Sequence, residues 1–205
     1  MSTTAGALAD VGRGIVERDR DRGVLAVWMV IFTESSLFIA LFSAYFLLGN
    51  DKQRWTINEP PKLGYALALL VILVASSFVL HWGEKQVKKG KYLKARVIMA
   101  VTFVMGLIFL GLQSYEYLDH WRHLDPVSNS YGSIFYTITT FHAAHVIVGL
   151  LVILFVLFLP HNSDSPDSPY RPYHVASLYW HFVDVVWIFV VLILYVIPNG
   201  MIYAH

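Results

Sequence analysis

The sequence has no cysteine, which removes disulfides, thiolate metal ligands and thioether-linked haem together. The redox compartment is left unread by the same absence. Charge is scarce as well: Asp, Glu, Lys and Arg make up 14% of the 205 residues, against about 25% in an ordinary soluble domain. A chain that is 57% hydrophobic and 15% aromatic is too apolar for a water-solvated surface, so its natural solvent is lipid. The formal charge of +1 comes from basic residues spread over connecting segments, and with no basic binding face nucleic acid is excluded as a partner. There is no internal repeat, no low-complexity tract, and little room for a separate soluble domain beside the apolar segments.

Those apolar segments are five runs, about Val24–Leu48, Leu63–Trp82, Ala95–Glu116, Ser133–Leu159 and Val175–Ile197. Each is long enough to cross roughly 30 Å of hydrocarbon at about 1.5 Å per residue. A spanning segment must satisfy its backbone polar groups internally, and none of the runs alternates as a barrel strand would, so each is expected to be helical. The expected fold is all-α, a polytopic membrane protein with a five-transmembrane-helix bundle. Pro60 and Pro61 in the first connection, and the Ser, Asp and Pro residues of "PHNSDSPDSPYRPYH" in the last, mark surface turns. Residues 1–23 read as a polar cytoplasmic tail; the first run is too long for a signal peptide and has no small-residue cleavage site. Residues 198–205 read as a short outer tail.

Lys and Arg fix the expected orientation. Arg13, Arg18, Arg20 and Arg22, the group Lys85, Lys88, Lys89, Lys91, Lys94 and Arg96, and Arg171 fall on one side. Lys52, Arg54, Lys62 and Arg122 fall on the other. The bias places the N-terminus in the cytoplasm and the C-terminus outside. Trp55, Tyr65, Trp82, Tyr92, Tyr115, Tyr117, Trp121 and Tyr131 fall near run ends, where amphipathic rings favour the membrane interface.

The ionisable residues within the runs carry the most information, because a charge at mid-bilayer costs several kcal/mol and is rarely left facing lipid. They are Glu34, His142, His145, His181 and Asp184. Helical rise and the inferred topology place them about 9 to 16 Å from the cytoplasmic edge, one layer from three helices. The simplest reading is a hydrogen-bonded structural layer that locks the helices together. A metal or di-iron centre is a second reading, since His142 and His145 share a helix face and imidazole and carboxylate ligands are at hand. Proton or ion relay through a carrier is a third. Against both stand the lack of a Glu-x-x-His motif, of a second histidine pair, and of a helix broken at mid-span by Pro or Gly. Haem is weaker still, since facing histidines a porphyrin's width apart are not visible in the spacing. No residue is assigned a catalytic or metal-binding role.

His81, Trp82, Glu116, Trp180 and Trp187 are the lipid or interface candidates. Glu116, between Tyr115 and Tyr117, reads as an interfacial residue in preference to a buried acid, and His81 beside Trp82 as a residue of the cytoplasmic interface. The basic group from Lys85 to Arg96 reads first as an orientation determinant and second as an attraction for anionic lipid. Ala75, Ser76, Ser77, Ala143 and Ala144 fit close helix packing.

Four segments resemble one family. "YWHFVDVVW", Tyr179–Trp187, resembles the last-helix signature of subunit III of the haem-copper terminal oxidases. "YGSIFYTITTFHAAHVIVG", Tyr131–Gly149, is similar to that family's tyrosine-glycine entry and Phe-His-x-x-His helix. "LGLQSYEY", Leu110–Tyr117, resembles its Gln-x-x-Glu-Tyr helix end, and "FTESSLFIALFSAYF", Phe32–Phe46, the helix that carries its membrane carboxylate, here Glu34. The resemblance runs from about Trp28 to Tyr195.

It implies a non-catalytic subunit of a respiratory, proton-translocating oxygen reductase in a bacterial cytoplasmic membrane. Such a subunit stabilises subunit I, associates with subunit II and other oxidase subunits, and holds phospholipid, while haem and copper sit in the partners. It also implies that Glu34 reacts with a hydrophobic carbodiimide and pairs with a histidine, His145. The accessory subunit of nitric oxide reductase, of similar architecture, is a further alternative. Seven-helix members have two more N-terminal helices walling a lipid cleft, so the resemblance is to the five-helix bacterial form, whose cleft another subunit or lipid completes. The family's Gly-Phe-His-Gly-x-His stands here as Thr140, Phe141, His142, Ala143, Ala144 and His145, which implies slightly looser packing.

Overall fold

A computed structural model of the chain describes residues 2–50, 62–120, 130–159 and 170–199, apart from the side chains of 2–22 and 119–120. The described residues form five helices: α1 (Ser2–Leu48), α2 (Leu63–Lys88), α3 (Tyr92–His120), α4 (Ser130–Phe158) and α5 (Tyr170–Val191). The last continues through a π-helical stretch, Leu192–Val196, to Asn199. All five are long and apolar enough to cross a membrane. Each extends past its apolar run because hydropathy marks where hydrocarbon ends, whereas the backbone hydrogen-bond ladder has no reason to stop there. The polar residues before Val24 accordingly join α1 in a single helix. Trp55, Pro60, Pro61, Trp121, most of the Ser, Asp and Pro segment and the outer tail past 199 lie outside the described residues.

The surface is inverted relative to a soluble protein, with Phe32, Phe78, Leu93, Phe155 and Phe158 turned outward. Such an exposed apolar belt is what lipid solvates. Helix α5 is the most buried span and α1 the least. Helix α2 packs on α3 and α5, α4 packs on α3 and α5, and α1 lies against α4 and α5. Apolar burial gives lipid-immersed helices little net drive, so close contact and polar pairs must hold them.

One such contact joins four helices. Trp180 of α5 is fully buried, and its Nε1 donates to Ser76 Oγ of α2 at 2.8 Å. Gly106 of α3 and Gly149 of α4 flank its ring: a Cβ on Gly106 would lie 2.8 Å from the indole, and one on Gly149 2.9 Å. Both glycines leave the space the ring fills. The α2–α3 turn closes on Gly90, whose φ is +71°. Gly90 N–H donates to Val87 O at 2.9 Å and Lys91 N–H to Gln86 O at 3.0 Å, the paired bonds of a Schellman ending.

Candidate functional site

The five intramembrane residues expected to form a single network are divided by the fold into three separate places. Glu34 of α1 meets His145 of α4, Oε2 to Nε2, at 2.9 Å. The other nitrogen, His145 Nδ1, lies 2.6 Å from the Phe141 carbonyl. A carbonyl only accepts, so Nδ1 carries a proton, and the Nε2 contact with Glu34 then needs one more, on either partner. The pair therefore holds a single proton in its bond and is neutral overall whichever side keeps it. Phe38 packs edge-on to the imidazole, with Phe182 beyond it.

His181 and Asp184 of α5 join Ser77 of α2. Ser77 Oγ lies 2.8 Å from His181 Nδ1 and also bonds Asp184 Oδ2, while Ser177 Oγ is 3.3 Å from His181 Nε2. Three proton arrangements satisfy this chain. Donation runs from Ser177 through a neutral His181 and Ser77 to Asp184, in reverse from a protonated Asp184, or outward from a doubly protonated His181 to both serines. In each of them Asp184 Oδ1 is left over.

His142 stands apart from both. It is buried with its ring 4.7 Å from that of Trp187 and 5.8 Å from that of Phe109, and neither nitrogen meets a partner among the described residues. Rise along a helix sets depth, but depth does not fix the direction in which a side chain points.

Three of the lipid or interface candidates are corrected by burial. Trp180 and Trp187 are fully buried and Glu116 is 1% exposed. The tryptophans lie on the inward side of the central helix. Glu116 bonds Gln113 at 3.4 Å and lies beside Tyr195. Tyr131, expected at the interface, is fully buried as well, and its hydroxyl donates to Leu194 O at 2.9 Å. That carbonyl belongs to the π-helical stretch, where the regular ladder is interrupted. His81 and Trp82 are exposed.

A cluster at the ends of α2 and α5 went unnoticed in the sequence. Glu84 accepts from Tyr170 Oη at 2.8 Å, lies 3.1 Å from His174 Nδ1 and 3.6 Å from Lys88 Nζ. Tyr170 stacks on His174, and Lys88 sits 5.0 Å above the Tyr170 ring. The Glu84/Lys88 spacing of four was its one legible signal. Among the described residues no three His, Asp or Glu side chains converge to hold a metal ion.

Apolar spans clamped to one another through paired acids and imidazoles define a multi-pass helical membrane protein with helix-to-helix polar contacts in its interior. Residues 17–198 match the family model described as cytochrome c oxidase subunit III. Over 87% of its length the chain is 37% identical to cytochrome c oxidase subunit 3 of Thermostichus vulcanus, covering 89% of that protein. It is 36% identical to cytochrome c oxidase subunit 3 of Synechocystis sp. over 86% of its length and 76% of the relative's. With the probable cytochrome c oxidase subunit 3 of Mycobacterium leprae it shares 32% identity over 96% of its length and the whole of the relative. The chain belongs to the cytochrome c oxidase subunit III family.

Proposed function

We propose that this chain is the non-catalytic third subunit of a respiratory haem-copper oxygen reductase in a bacterial cytoplasmic membrane. In this reading it associates with subunit I, and with subunit II and other oxidase subunits. It binds phospholipid, and the haem and copper reside in the partners. The supporting observation is the family match over nearly all the described helices. The polar groups agree with it: Glu34 and His145 satisfy each other, and His181 is engaged by two serines, as parts of a scaffold would be. The nitric oxide reductase reading is not favoured, because the relatives bear the oxidase name.

Affinity purification of the tagged chain from membranes in mild detergent, with partner identification, haem spectra and metal analysis, tests this. The expected result is co-purification with a haem-bearing subunit, while the isolated chain has no Soret absorption and no stoichiometric metal. Iron or copper bound to the isolated chain would overturn the proposal.

A further inference from the structure

At one end of the bundle the α2–α3 turn gathers six exposed basic side chains, Lys85, Lys88, Lys89, Lys91, Lys94 and Arg96. Lys88 is engaged by Glu84 and the Tyr170 ring. Lys85, Lys89, Lys91 and Lys94 meet no acid among the described residues. Arg96 reaches across to another helix, where its Nη2 donates to the Leu157 carbonyl in the last turn of α4. That bond holds the guanidinium in place but uses little of it. A guanidinium has five N–H donors in a planar fork, and Leu157 is the one acceptor Arg96 meets among the described residues. The surface of α4 beside this carbonyl is hollowed by about 440 Å³ between Leu151, Leu154, Phe155, Phe158 and Leu159. Leu151, Phe155 and Phe158 are more than half exposed. From residue 159 the hollow runs back along α4 to residue 151, about 12 Å toward the membrane centre.

A fixed, exposed cation thus stands at the rim of an apolar hollow, one turn into α3 and at the end of α4, where hydrocarbon gives way to headgroups. The fork matches a phosphate, which accepts two parallel N–H bonds. The hollow matches an acyl chain. A free phosphate would leave the hollow unfilled, and an uncharged lipid would leave the fork unused. The headgroup is further constrained by the four lysines without acids, which attract a net negative charge and repel the ammonium of a zwitterionic lipid. We propose that this is a binding site for an anionic phospholipid, whose phosphate takes the remaining Arg96 N–H groups while one acyl chain lies along residues 151–159. The site gives the phospholipid binding proposed above a headgroup class and a place, and rests on that reading.

The test uses the protein purified with the subunits that accompany it and returned to phosphatidylcholine nanodiscs. Two probes carry the same diazirine-bearing acyl chain, one on phosphatidylglycerol and one on phosphatidylcholine. The anionic probe is expected to label the α4 peptide containing Phe155 and Phe158 about tenfold more than the zwitterionic one, the preference that one or two unopposed basic residues supply. That excess should vanish in Arg96→Gln, whose amide can still donate to the Leu157 carbonyl. It should largely persist in Lys94→Gln, which removes the same charge from a neighbouring side chain. Leu151→Trp fills the hollow from an exposed position, should also abolish the excess, and serves if Arg96→Gln does not assemble. Equal labelling by the two probes, or an excess that survives Arg96→Gln or Leu151→Trp, overturns the proposal. So does a loss as large in Lys94→Gln as in Arg96→Gln, which would mean a diffuse field without a site. Label elsewhere on the chain but none on this α4 peptide overturns the site, with a partner subunit covering it, and leaves phospholipid binding standing. An unlabelled chain ends both readings.

Discussion

His142 and His145 lie one helical turn apart on α4, yet their environments call for opposite responses to substitution. His145 has a partner at each nitrogen, and truncating Glu34 leaves the half-buried Nε2 without its partner at a cost of about 1 kcal/mol. Glu34→Ala should therefore lower the thermal midpoint of the purified protein by about 2–4 °C, the shift such a cost makes in a chain of this size. Glu34→Gln should lower it less, because the amide N–H donates to His145 Nε2. If the carbodiimide reading of Glu34 holds, Glu34→Gln also removes labelling by a hydrophobic carbodiimide while leaving oxygen reduction largely intact. A mass-spectrometric label count and an oxygen-electrode assay check both parts, and loss of all turnover would sink the accessory assignment. His142 meets no partner at either nitrogen. Replacing an unsatisfied polar group by an apolar one of similar shape is close to neutral or stabilising, so His142→Leu should hold or raise the midpoint.

At the scale of elements, two packing devices set where helices end and how closely they approach. Gly90 takes a left-handed conformation that a Cβ disfavours, so Gly90→Ala should cost about 1 kcal/mol, read as a midpoint lower by about 2–4 °C. The Trp180 niche is less forgiving. A side chain at Gly149 must push into a fully buried indole held on its other side by the α3 face at Gly106. Overpacking of a filled core costs about 1–3 kcal/mol, so Gly149→Val should lower the midpoint more than Gly90→Ala does. An exception at that position would mean that the α3–α4 spacing is softer than the contacts imply. Tyr131 serves the π-helical end of α5 in a comparable way, since its hydroxyl engages the Leu194 carbonyl.

Across the whole molecule, the arrangement follows from lipid as the solvent. The outer belt is apolar, α5 is central, and polar atoms are spent on joining helices. The clamp of Glu84 with Tyr170, His174 and Lys88 closes one end of the bundle, and it is the end that the positive bias assigns to the cytoplasm. Reporter fusions check that topology: alkaline phosphatase fused at the C-terminus should be active, and the same fusion in the α2–α3 turn near Lys89 inactive. The reverse pattern would invert the orientation.

The sequence by itself determined the solvent, the number of spans and their approximate limits, because a membrane requires about 20 apolar residues per crossing and leaves few other solutions. It also carried, by resemblance, the family. It placed Glu34, His142, His145, His181 and Asp184 at one depth, because rise per residue is fixed. Only the tertiary structure decided which of them meet. The direction a side chain points depends on how each helix is rotated against its neighbours, and that rotation is set by contacts such as Trp180 between Gly106 and Gly149. For the same reason Glu116, Trp180 and Trp187 could not be assigned inward or outward from hydropathy, which is high on every side of a lipid-immersed helix. The bond from Arg96 to the Leu157 carbonyl exists only because α3 and α4 are turned to face each other there.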